Sequence, residues 1–244
     1  MIRKEWLDQR AKLTVGLIVG LVALLAGIVV APNLGGLPNP DLQMALAEME
    51  ANPSRVLWDM LFNPGNSLGL LLLVLAATTG TSLIAGEVAR STIFVLLARP
   101  LSRGRVLLTK YVVGAVGLLV LILILSLALL VMAAATGHPQ PPGGVLLSAL
   151  LTWLGTLFVL GLATLFSVMF STVLLPLALS LAVTGLLALV PVLGLPMAWS
   201  LPSYWSSFSA FEGQQFPLRE LLVSLLAASA PLALAVPLFR RWQY

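Results

Sequence analysis

The 244-residue chain is 59% hydrophobic and only 9% charged, with a net charge of +4 and a mean hydropathy of +1.05. Soluble domains draw about a quarter of their residues from Asp, Glu, Lys and Arg, so this composition excludes a fully solvated surface and specifies an integral membrane protein. Cysteine is absent, which excludes disulfides and thiolate metal sites. The basic excess flanks apolar runs, so it bears on topology and gives no reason to expect nucleic acid.

The first apolar run is Leu13–Ala31, 19 residues long. A secretory leader has an apolar region of about 7–15 residues, and Pro32 would follow the Val29-Val30-Ala31 cleavage pattern unfavourably. The run is therefore expected to be retained as a span. Gly16 and Gly20, at i and i+4, offer a close helix contact within it.

Residues 32–66 carry Asp41, Glu48, Glu50 and Asp59 against the single Arg55. The pairs Asn39-Pro40, Asn52-Pro53 and Asn63-Pro64 read as starts of short helices, because Asn caps and Pro is favoured at the first helical position. PDLQMALAEME reads as one such helix at the membrane surface. A second span covers 67–85. Its hydroxyls Thr78, Thr79, Thr81 and Ser82 are expected to satisfy backbone groups or pack between helices, and Ile84 replaces the second glycine of a nucleophile elbow.

A third span covers 111–136, followed by a Pro/Gly-rich turn holding the only histidine, His138, read as a solvated loop residue. Residues 145–194 are almost unbroken apolar sequence. As one helix they would extend about 75 Å, more than twice the bilayer core. They are expected to reverse at Ser171-Thr172, with Pro176 in the first turn of the returning helix, giving spans 145–170 and 173–194. The next loop holds Trp199, Tyr204, Trp205, Phe208, Phe211 and Phe216. It reads as an aromatic belt at headgroup level or as a gate. Span six covers 221–239, and Trp6 and Trp242 read as anchors on the opposite side.

Six spans place eleven of the thirteen basic residues on one side, with Arg55 and Arg219 opposite. By the positive-inside rule both termini are cytoplasmic. The expected fold is all-α: a polytopic membrane protein with six transmembrane helices in a single domain over 1–244, carrying a cytoplasmic segment at 86–110 and placed in the inner (cytoplasmic) membrane.

No ionisable residue falls within these spans, and no Asp, Glu, Lys or Arg occurs between Tyr111 and Phe211. Ion-coupled transporters place such groups in the bilayer, so a stand-alone secondary transporter or channel is disfavoured. An intramembrane enzyme would need a catalytic pair that the sequence lacks. No catalytic, cofactor or metal-ligand set is legible, and no phosphate-binding loop occurs. ATP and Mg, if used, belong to another subunit.

On a helix over 87–99, Glu87, Arg90, Ser91 and Ala98 share one arc, with Phe94 in its middle. An aromatic residue among polar neighbours fits a knob inserted into a partner's groove. The same stretch also fits a basic anchor on lipid phosphates. Pro100 ends the helix and Ser102 caps the next.

The stretch GEVARSTIFVLLARPLSRGRVLLTKY resembles the cytoplasmic segment of type-2 ABC exporter permeases, in which Glu, Thr, a leucine pair, Pro-x-Ser-Arg and Lys recur in order. Here these are Glu87, Thr92, Leu96-Leu97, Pro100 with Ser102-Arg103, and Lys110. Ser91 departs from the glycine of many members. RKEWLDQR, within residues 1–12, is similar to the family's amphipathic leading helix. The resemblance implies a permease that pairs with a second copy, as a homodimer or related heterodimer, and with two cytoplasmic ABC ATPase subunits. It implies coupling through Glu87, Arg90, Ser91, Thr92, Phe94, Arg99 and Arg103, and a substrate path between the two permeases. Hydroxyl-bearing faces of the second and fifth spans are candidates to line that path.

Overall fold

A computed structural model describes residues 2–27, 47, 50–89 and 102–241. Among the described residues the regular elements are helices: α1 (Ile2–Leu25), α2 (Pro53–Phe62), α3 (Ser67–Ala89), α4 (Arg103–Ala135), α5 (Pro142–Met169), α6 (Leu174–Leu189), the one-turn α7 (Phe208–Phe211) and α8 (Leu218–Arg241). Two 3₁₀ turns, Met197–Trp199 and Leu201–Tyr204, lie between α6 and α7. Among the described residues, four helical stretches are long and apolar enough to cross a membrane: Pro53–Ala89, Arg103–Ala135, Pro142–Met169 and Leu218–Arg241.

Local chemistry sets the boundaries. Asn52 caps α2, its side chain accepting the Arg55 amide at 3.1 Å, with Pro53 in the first turn. Asn63-Pro64 is instead a turn. The Asn63 side chain donates back to Asp59 and accepts the Gly65 amide, while Asn66 donates to the other Asp59 oxygen at 3.0 Å. These bonds hold the corner before α3, so the helix start moves on to Ser67. Asn39-Pro40 and most of PDLQMALAEME lie outside the described residues.

The reversal of the long apolar run falls at 170–173, around Ser171-Thr172. Its second limb is shorter than the expected 173–194. α6 stops at Leu189, because Pro191 cannot continue the hydrogen-bond ladder and Gly194, at φ +74°, turns the chain. Its 16 residues rise about 24 Å, less than the roughly 30 Å hydrocarbon core. At the start of the chain, residues 2–12 and the apolar run as far as Leu25 form one helix.

The helices alternate in direction. Lys12 and Gly16 of α1 lie against Thr78 and Leu75 of α3, so these two are antiparallel. Tyr111 donates to the Leu157 carbonyl at 3.1 Å and Trp153 to that of Ala115 at 2.9 Å, pinning α4 antiparallel to α5. The start of α1, the end of α3, the start of α4 and the end of α8 thus gather at one end, here the basic end. The α2–α3 corner, the 3₁₀ turns and α7 form the opposite, aromatic end.

α5 is the centre of the bundle, with 18 of its 28 residues buried. Among its buried positions are the small or hydroxylated residues Ser148, Thr152, Gly155, Thr156, Gly161, Thr164 and Ser167. Small residues let helices approach closely, the usual basis of packing in lipid. At Gly80 of α3 a Cβ would stand 2.6 Å from the Leu160 carbonyl and 2.7 Å from Ala163 Cβ, so the α3–α5 crossing requires glycine. Large apolar side chains face outward instead, among them Leu174 at 78% exposure and Leu226 at 70%.

Candidate functional site

α3 and α4 both continue past the apolar runs that predict the spans, α3 to Ala89 and α4 back to Arg103. This brings Glu87 and Lys110, expected outside the spans, into the helical bundle. Lys110 Nζ lies 3.0 Å from Glu87 Oε1, and the side chains are only 2% and 10% exposed. The expected spans 67–85 and 111–136 themselves hold no charged residue, and this pair lies in the helical extensions just beyond them. A carboxylate or ammonium alone is expensive to bury, and each offsets part of the other's desolvation cost.

Nearby groups tie two more helices to this pair's surroundings. The Ala85 amide of α3 donates to Ser167 Oγ near the end of α5 at 3.2 Å. Further along the bundle, Lys12 Nζ of α1 donates to the Thr78 carbonyl at 3.1 Å. Thr78, Thr81 and Ser82 donate to carbonyls three residues earlier, at 3.1, 3.1 and 2.7 Å. Thr79 instead packs its methyl group toward Gly114 of α4, beside the buried amide of Gln9.

Glu87 is thus placed in the last turn of α3, buried, and Arg103 in the first turn of α4, partly exposed. Arg90, Ser91, Thr92, Phe94 and Arg99 lie outside the described residues. Gly16 sits against Leu75 of α3, whereas Gly20 faces α4, where a Cβ would stand 2.8 Å from Leu125 Cδ2. The two glycines therefore serve two different neighbours. The hydroxyls of α6, Ser180 and Thr184, are buried and donate to the Leu177 and Ser180 carbonyls. They are buried within the chain's own interior.

At the aromatic end the loop from Met197 to Phe211 folds back into the bundle. Trp205 is 2% exposed and packs on Phe158, with ring centroids 5.6 Å apart, over Gly155. Phe211 is buried against Phe62, and Phe208 meets Trp58 edge-on. Trp199 and Phe216 remain exposed, so belt positions and core positions alternate within one loop. Both arginines at this end stack on rings, Arg55 over Phe208 at 5.4 Å and Arg219 over Tyr204 at 5.5 Å. Arg219 also donates to the Tyr204 hydroxyl at 3.2 Å, and that hydroxyl donates to the Ala198 carbonyl at 3.0 Å.

Sequence reasoning named Lys110 as a motif residue but did not pair it with Glu87, and it did not single out Ser167 or the Arg219–Tyr204 contact. Each joins residues from different elements, and no periodicity along one element signals such a pair. Among the described residues, no three His, Asp or Glu side chains gather closely enough to hold a metal ion.

A profile described as ABC-2 family transporter protein matches residues 1–239. Among curated proteins, none matches the chain closely enough to count as a relative. An all-helical, apolar bundle with several membrane-length helices is the architecture such a transport subunit needs. With the match running through 239 of its 244 residues, the chain belongs to the ABC-2 transporter family and is a multi-pass membrane permease.

Proposed function

We propose that the chain is the membrane-spanning subunit of an ATP-driven exporter, working as a dimer with separate cytoplasmic ABC ATPase subunits that bind ATP and Mg. Family membership over residues 1–239 carries this reading. In it α1, α3, α4, α5, α6 and α8 supply six spans, both termini are cytoplasmic, and the basic end faces the ATPases. The division of basic residues, eleven against two, supports that orientation.

The segment between α3 and α4 would receive the force of ATPase closure through Glu87, Arg90, Ser91, Thr92, Phe94, Arg99 and Arg103. Its flanks suit that task. The Glu87–Lys110 pair ties the end of α3 to the start of α4, and the Ala85–Ser167 hydrogen bond ties α3 to the central α5. A push on the intervening segment would then move α3, α4 and α5 together rather than bend one helix alone. The substrate would pass between the two permease copies.

Affinity purification of the tagged chain from its own membranes in mild detergent tests this. The expected result is a stoichiometric soluble ATPase that is lost from Phe94→Asp, while the variant still inserts. In vesicles, Phe94→Asp should uncouple ATP hydrolysis from transport. Recovery of the chain alone under several detergents and cross-linking conditions, or unchanged transport by Phe94→Asp, would overturn the coupling role.

A further inference from the structure

At the basic end a cavity of about 430 Å³ opens between the start of α4 and the end of α8. Arg105 and Arg240 line its upper part, with Ser102, and Leu108, Val112 and Val113 form its wall. The two arginines come from different helices and converge for a structural reason. Gly104 leaves room for Arg240 to lie across the first turn of α4, since a Cβ there would stand 2.9 Å from Arg240 Nε. Both guanidinium-bearing residues are exposed, and neither is paired with a carboxylate among the described residues.

The wall below them leads into the bilayer. Exposed apolar residues run along one face of α4 from Leu108 through Val112, Val116, Val120 and Ile124 to Leu127 and Val131, a spacing of three to four residues. Arg105 lies about 10 Å above Val112 along the helix. That rise is close to the depth over which a bilayer passes from headgroup to hydrocarbon. A guanidinium fork matches phosphate oxygens, and an open apolar lane below it matches an acyl chain. A soluble partner could reach the arginines but not two helical turns of lipid-facing wall.

We propose that Arg105 and Arg240 hold the phosphate of one anionic phospholipid whose acyl chain lies along Leu108, Val112 and Val113. This site rests on the topology proposed above only for the leaflet it occupies, which is the cytoplasmic one. An anionic lipid here would join α4 to α8 across the gap beside the coupling segment, making the exporter's motion sensitive to the lipids around it.

The test uses the full chain, purified with any subunit that accompanies it, stripped of lipid and titrated with dioleoylphosphatidylglycerol, dioleoylphosphatidylcholine or inorganic phosphate. Retained lipid is counted by native mass spectrometry. Phosphatidylglycerol is expected to be held in preference to phosphatidylcholine. Each of Arg105→Gln and Arg240→Gln should weaken that retention about fivefold, and the double variant about 25-fold. Val112→Trp, which fills the apolar lane and leaves both charges, should also expel the lipid. Arg55→Gln, at the other end, should not change it.

Unchanged retention in the double variant would overturn the site. Displacement of phosphatidylglycerol by inorganic phosphate, with Val112→Trp without effect, would make it a free-anion site and overturn the lipid. Loss of an ATPase subunit from the double variant with lipid retention intact would make the surface a protein contact instead. Lipid is read on the chain itself, so failure of the ATPase reading leaves this measurement standing. Equal retention of phosphatidylglycerol and phosphatidylcholine by the parent chain, with the ATPase still bound, would sink the lipid site alone.

Discussion

The two ends of the bundle treat arginine in opposite ways. At the aromatic end Arg55 and Arg219 lie over the rings of Phe208 and Tyr204, and Arg219 also reaches the Tyr204 hydroxyl. There the cation is part of the packing. At the basic end Arg105 and Arg240 are exposed around a cavity and are not paired with a carboxylate among the described residues. The only charge pair taken deep into that end is Glu87–Lys110, among the described residues. Residue type therefore says little about what a cation contributes. An aromatic neighbour makes it structural, and an open cavity leaves it available to a ligand.

If the comparison is correct, the largest stability losses come from the buried Glu87–Lys110 pair and from the aromatic core. Lys110→Met leaves the Glu87 carboxylate buried without its ammonium, and breaking such a pair costs about 3–5 kcal/mol. Graded SDS unfolding of the purified chain should show this, and a shift below 1 kcal/mol would mean the pair is solvated. Trp205→Ala empties the space over Gly155 and beside Phe158, with a loss of about 3–5 kcal/mol in the same assay. A negligible effect there would show that the loop is a surface belt and not part of the core.

Smaller effects separate the arginines. Arg219→Gln removes a ring contact and a charged hydrogen-bond donor, and about 1–2 kcal/mol should be lost. Arg55→Gln removes only a stacked cation, for about 0.5–1 kcal/mol. Arg105→Gln and Arg240→Gln should each stay within about 0.5 kcal/mol of the parent, as for exposed positions outside the packed core. Equal losses at both ends would erase the distinction between packed and available arginines.

Much of the architecture was legible in the sequence, for identifiable reasons. The apolar runs at 67–85, 111–136, 145–170 and 221–239 each lie within or nearly coincide with a helix of the structure. That the long run reverses followed from its length, and its place at Ser171-Thr172 from the polar residues there with Pro176 just beyond. Asn52 and Ser102 cap the helices they were expected to cap. The fifth run was overestimated because hydropathy counts Val190–Leu195 as apolar, while Pro191 and Gly194 end the helix before it. The aromatic loop was read from ring chemistry, which predicts an interface. Glycines 144 and 155 on α5 instead give Phe211 and Trp205 room to enter the core. The candidate coupling site was legible as a composition anomaly, but only Glu87 and Arg103 of its proposed residues fall within the described structure.

By itself, the sequence determined that this chain lives in a bilayer, where its helices run and which end gathers the positive charge. These depend on local quantities: apolar length, caps, prolines and charge counts. Only the tertiary structure decided that Glu87 meets Lys110, that Arg240 lies beside Arg105, and that half of an aromatic loop is core. Those depend on which helix faces cross, and the crossings are chosen by glycines and hydroxyl residues whose partners are 20 to 140 residues away. No period along the chain encodes that distance.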